Sequence, residues 1–98
     1  MAFQPQLDLF REIWLEREHK SIVSGTPLYF DVQCFAHVLG KGSYPGFKLK
    51  KENIVLMTPP EHHVYDARTD LARTIEGFDK VFELADKLRT EYHEANQC

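Results

Sequence analysis

Apolar positions change their rhythm three times along this chain. From Leu7 to about His19, the residues Leu7, Phe10, Ile13 and Trp14 recur three and four apart, with Asp8, Arg11, Glu12 and Glu16 between them. That spacing predicts an amphipathic helix with one face for burial. Ser24-Gly25-Thr26-Pro27 predicts a turn. From Leu28 to Val38 the rhythm becomes an alternation, Tyr29, Asp31 and Gln33 against Phe30, Val32 and Cys34, which predicts two short β runs. The glycines and proline between Gly40 and Gly46 demand a loop. Asn53 to Met57 is a short apolar strand.

Beyond it the pattern is helical. Thr58-Pro59-Pro60-Glu61 places threonine at the N-cap, proline at the first helical position and glutamate at the third, a capping box. The helix it starts carries His62, His63, Tyr65 and Asp66. From about Asp70 to Ala95, the residues Leu71, Ile75, Phe78, Phe82, Ala85, Leu88 and Tyr92 form a stripe that predicts one long helix. Gly77 weakens it by about 1 kcal/mol relative to alanine. The order is α+β: a small antiparallel ribbon and a capped helix, flanked by an N-terminal helix and a long C-terminal helix.

A length of 98 residues fits a single domain over positions 1–98. No run approaches the ~18 apolar residues of a membrane span, so no membrane association is expected. Met1 to Pro5 has neither the basic start nor the apolar core of a signal peptide. Cys34 and Cys98, the latter expected to be frayed, make neither a disulfide scaffold nor a CxxC metal pair. A reducing, cytoplasmic compartment is the expectation.

The net charge of −3 discourages a whole-surface nucleic-acid binder, but its distribution changes that picture. His37 to Lys51 holds Lys41, Lys48, Lys50 and Lys51 and no acid. The tail from Ile75 onward is acidic and masks this loop in the sum. A solvated loop accounts for such lysines, and so does a surface that meets phosphates.

Four polar residues punctuate the middle: His37 after the first β run, Asn53 before the second, and His62 and Asp66 on the capped helix. His62 and Asp66 are i and i+4, so they share a face. An imidazole and a carboxylate at that spacing can reach one hard divalent ion, or simply pair with each other. His63 points about 100° away on a helix of 3.6 residues per turn.

The spacing is His37, fifteen residues, Asn53, eight residues, His62, three residues, Asp66. It resembles the HNH endonuclease family, the ββα-metal nucleases. The matching segments are Cys34-Phe35-Ala36-His37-Val38-Leu39-Gly40-Lys41-Gly42, then Lys51-Glu52-Asn53-Ile54-Val55-Leu56-Met57, then Pro60-Glu61-His62, within a core of about 31–70. Small standalone members of that family are often phage or prophage encoded, which would place this one in the host cytoplasm.

The resemblance implies hydrolysis of a nucleic-acid phosphodiester, DNA rather than RNA. His37 would be the general base that activates water. His62 and Asp66 would hold one divalent metal ion, Mg2+ in the first place, with Mn2+, Ni2+ or Zn2+ as alternatives. Asn53 would pin the hairpin and orient His37, or approach the metal. Lys41, Lys48, Lys50 and Lys51 would contact backbone phosphates.

The chain departs from the family at Ala36, where members commonly carry a metal-ligating aspartate or histidine. Cys34, Asp31 and Asp70 are the side chains that could replace it. The zinc-ribbon cysteines of many relatives are also absent. Two other functions compete: a catalytically impaired nucleic-acid-binding module of the same fold, and a protein-interaction module using the C-terminal helix with Trp14, Phe78 and Phe82.

Overall fold

A computed structural model of the chain describes residues 4–95, so Cys98 and the first residues of the stretch read for a leader lie outside it. The architecture is mixed α+β: helix α1 (Gln4–Glu16), strand β1 (Phe35–His37), strand β2 (Ile54–Leu56), then helices α2 (Pro59–Ala67), α3 (Thr69–Ala72) and α4 (Asp79–Ala95). Among the described residues no helix is long and apolar enough to cross a membrane.

The two strands pair antiparallel, with Phe35 opposite Leu56, Ala36 opposite Val55 and His37 opposite Ile54. Side chains alternate across a strand. Phe35, Leu56 and Ile54 therefore join Phe10 and Ile13 of α1 in one buried cluster. Ala36, Val55 and Met57 join Tyr65, Phe78, Val81, Ala85 and Leu88 in the other. The ribbon is a thin middle layer between α1 and the pair α2 and α4. His37 shares the α1 face, 6.4 Å from the Phe10 ring.

Helix α1 is shorter than its apolar spacing predicts. It stops at Glu16, not near His19. His19 instead folds back: its ring stacks on Trp14 at 3.7 Å and its Nε2 lies 2.8 Å from the Trp14 carbonyl, closing the helix end. Arg17 leaves the helix axis and donates to the carbonyls of Lys51 and Ile54, which ties α1 to the start of β2.

The alternation over Leu28–Val38 yields one strand, not two. Tyr29 and Phe30 stay outside any element, and Val32–Cys34 is a 3-10 turn capped by the Asp31 side chain, which accepts from Gln33 N at 2.8 Å. The local Asx-type hydrogen bond outcompetes strand pairing there.

The capping box forms as its residues predict. Thr58 Oγ1 accepts from Glu61 N at 3.3 Å, and Glu61 Oε1 accepts from Thr58 N at 2.8 Å. Buried Ser21 adds a third bond, donating to Glu61 Oε1 at 2.6 Å. Burial works to raise the Glu61 carboxyl, but the hydrogen bonds from Ser21, Thr58 and Ser24 prevail and hold it below its ordinary value.

The expected long helix over 70–95 is broken. Gly77 adopts φ +102°, and a Cβ there would lie 2.2 Å from the Val23 carbonyl oxygen. Only glycine fits that backbone, and the helix restarts at Asp79, whose carboxylate accepts from Gly77 N at 3.2 Å. Leu71 and Ile75 consequently leave the stripe and are exposed. Phe78, offered to a partner only under the protein-interaction alternative, is 1% exposed and belongs to the core.

Candidate active site

His37 ends β1 and reaches the surface where the ribbon meets α1 and α2. There Gln6, Phe10, Phe35, His37, Lys41, His62 and Asp66 line a cleft of ≈ 370 Å³. Residues from four separate segments thus converge: α1, β1, the loop that follows it, and α2. Phe10 and Phe35 stack at 4.3 Å and form an apolar floor.

Each histidine of the cleft is anchored by a main-chain carbonyl. His37 Nε2 lies 2.8 Å from the Lys48 oxygen. A carbonyl only accepts, so Nε2 carries the hydrogen and Nδ1 keeps the free lone pair. Burial pushes His37 below the ordinary histidine pKa. The Lys48 hydrogen bond opposes the shift, Lys41 and His62 add to it, and Asp66 works the other way. The balance favours a neutral imidazole, the form a proton acceptor needs.

His62 Nδ1 donates to the Gln33 carbonyl at 2.7 Å. Its Nε2 lies 3.0 Å from Asp66 Oδ2. Both ring nitrogens therefore face acceptors. Either each carries a proton, or the Nε2 lone pair and the carboxylate share a cation. A ligating histidine typically has its other nitrogen donating to a carbonyl or carboxylate, as here. His62 and Asp66 could hold a divalent ion between them as two of its ligands. Among the described residues no group of three His, Cys, Asp or Glu side chains converges, so solvent and substrate would supply the remaining positions.

The side chains that could replace a ligand at position 36 are committed elsewhere. Cys34 is buried, its thiol pushed up by burial and by Asp31, and its Sγ lies 3.8 Å from the Tyr29 carbonyl. Asp31 caps its turn, and Asp70 pairs with Arg68 at 3.5 Å. Ala36 is fully buried in the cluster on the α4 side, opposite the face that bears His37. A carboxylate at that position would enter the core, not the cleft. His63 is exposed and does not line the cleft.

Asn53 does not line the cleft, although the spacing makes it a candidate catalytic residue. It is 0% exposed, and its amide closes the loop from inside. Oδ1 accepts from Leu39 N at 2.7 Å, and Nδ2 donates to the Leu39 and Phe47 carbonyls at 3.1 and 3.2 Å. Of its two implied roles, pinning the loop agrees with this placement.

The four loop lysines separate into two pairs. Lys41 lines the cleft. Together with Gln6 and Lys48 it also lines an adjoining groove of ≈ 440 Å³. Lys51 instead meets Glu12 and Glu16 of α1, each at 2.8 Å, and those bonds raise its pKa. Lys50 lies over the Phe47 ring at 5.1 Å. Neither Lys50 nor Lys51 lines the cleft or the adjoining groove.

Several cleft features have no sequence signature. Gln6, and the Gln33 and Lys48 carbonyls, carry no motif. Phe10 and Phe35 are legible only as core positions. Comparison with family models, with curated proteins and with solved structures finds no match to this chain.

Proposed function

We propose that this chain is a metal-dependent endonuclease or nickase that hydrolyses DNA phosphodiester bonds, with an HNH-type ββα core. The observation that carries the reading is the pair of carbonyl-anchored histidines in one cleft. His37 presents a basic nitrogen, and His62 faces Asp66 across 3.0 Å with its other nitrogen occupied.

In this reading His37 Nδ1 takes a proton from water while its Nε2–H stays on Lys48. The water oxygen forms the new bond to phosphorus. The bond from phosphorus to the 3′ oxygen breaks, and that oxygen leaves with the electron pair and takes a proton from solvent. His62 and Asp66 would hold a divalent ion, which would supply positive charge to the phosphate when bound. Lys41 and Lys48 contact flanking phosphates as point charges. Asn53 acts through the loop and is a positioning residue.

The donor count favours a second reading, a nucleic-acid-binding module with the same core and impaired catalysis, because among the described residues His62 and Asp66 meet and no third His, Cys, Asp or Glu joins them. Supercoiled plasmid with Mg2+, Mn2+ or Ni2+ separates the two. Nicking by the wild type that disappears in His37→Ala supports the nuclease. Tight binding with no nicking under any metal supports the module.

A further inference from the structure

The carbonyl that orients His37 sits on a turn gripped from both sides. Pro45–Phe47 forms a 3-10 turn, and Lys48 N bonds the Pro45 carbonyl at 3.4 Å, so Lys48 moves with it. From inside, Asn53 Nδ2 holds the Phe47 carbonyl. From outside, Tyr92 of α4 makes edge-to-face contacts with Tyr44 at 5.0 Å and Phe47 at 4.9 Å. A Cβ on Gly46 would lie 3.2 Å from Tyr92 Cε2, so the ring seats closely on a residue without a side chain.

We propose that Tyr92 is a positioning residue for His37: its ring clamps the 44–47 turn so that the Lys48 carbonyl stays on His37 Nε2. The clamp rests on the nuclease reading for its consequence, but its geometry stands apart from it. Which imidazole nitrogen carries the proton is set by the hydrogen bond the other makes. A slack turn therefore lets His37 exchange tautomers and lose its aim. The edge-to-face contacts with Tyr44 and Phe47 are made by the ring, which phenylalanine keeps and alanine and leucine do not.

The test uses the full chain with Tyr92→Ala, Tyr92→Leu and Tyr92→Phe. Long-range 1H–15N spectra read the histidine rings, with His37 assigned from its loss in His37→Gln. Wild type and Tyr92→Phe should show His37 in the Nε2–H form at pH 8. Tyr92→Ala and Tyr92→Leu should show mixed tautomers, with kcat for plasmid nicking down roughly ten- to a hundredfold and KM within about twofold. Tyr92→Leu keeps apolar bulk in case alanine unfolds the helix. Wild-type tautomers in both variants would overturn the clamp, as would equal loss in Tyr92→Phe. A wild type that never nicks would sink the nuclease reading alone, since the tautomer still decides the clamp.

Discussion

His62 Nε2 and Asp66 Oδ2 are 3.0 Å apart, while the second nitrogen of His62 bonds the Gln33 carbonyl. One turn of α2 thus sets the His62 ring nitrogen against a carboxylate, close enough for an ion pair or for a cation that both could ligate. Asp66 is more than half exposed, so the pair contributes little as a salt bridge.

Asp66→Asn accordingly should leave the metal-free protein as stable as wild type, within about 0.5 kcal/mol. It should weaken Mn2+ binding at least about tenfold. A ligand present at a hundred times its Kd adds about 2.7 kcal/mol when it binds only the folded state. Thermal melts with and without Mn2+ should show that increment in wild type and lose most of it in the variant. An equal Mn2+ shift in both would remove Asp66 from the site.

Asn53 carries the opposite profile. Its replacement by alanine leaves the Leu39 N–H and the Leu39 and Phe47 carbonyls without their side-chain partner inside the loop. We expect Asn53→Ala to cost about 2–4 kcal/mol in urea unfolding, from unsatisfied buried groups. A loss below 1 kcal/mol would show that water replaces the amide and that the loop does not depend on it.

Burial holds the folded pKa of His37 below its ordinary 6.5. The folded state therefore binds fewer protons at this site than the unfolded state between the two values. The site's stabilising contribution is complete above 6.5 and is lost as pH falls through the folded pKa. Stability should fall on acidification below 6.5 with a smaller slope in His37→Gln. The acid limb of kcat/KM should have its midpoint below 6.5, since only the neutral ring accepts the proton. A midpoint above 6.5 would show that another group titrates.

The lysines should separate on DNA. Lys41→Ala and Lys48→Ala each should remove about one phosphate contact, changing the slope of log affinity against log salt by about 0.9. Lys51→Ala should leave that slope unchanged, because its ammonium is already held by Glu12 and Glu16. A slope that changes only in Lys51→Ala would reverse the placement of the binding surface.

What was legible in the chain was local. The capping box at Thr58 and Glu61 is four consecutive residues, and the Phe10/Ile13 stripe needs only helical spacing. The i, i+4 placement of His62 and Asp66 brings them together as the helix dictates. What was not legible depends on distant backbone. Gly77 breaks the C-terminal helix by adopting a positive φ, and the Val23 carbonyl beside it leaves no room for a Cβ. Lys51 is claimed by carboxylates on α1, and the anchors of both histidines are main-chain oxygens whose residue type is immaterial. Ala36 reads as a missing ligand in sequence, and in the fold it is a core position facing away from His37.

In the proposed reaction His37 hydrolyses DNA beside a divalent ion that His62 and Asp66 would hold. Relaxation of supercoiled plasmid by purified protein, with Mg2+ or Mn2+ and beside His37→Ala, tests it most directly. Nicking should require the metal, stop with a chelator and fall by at least about a hundredfold in His37→Ala. Equal nicking by both proteins, or none by the wild type with any metal, would contradict it.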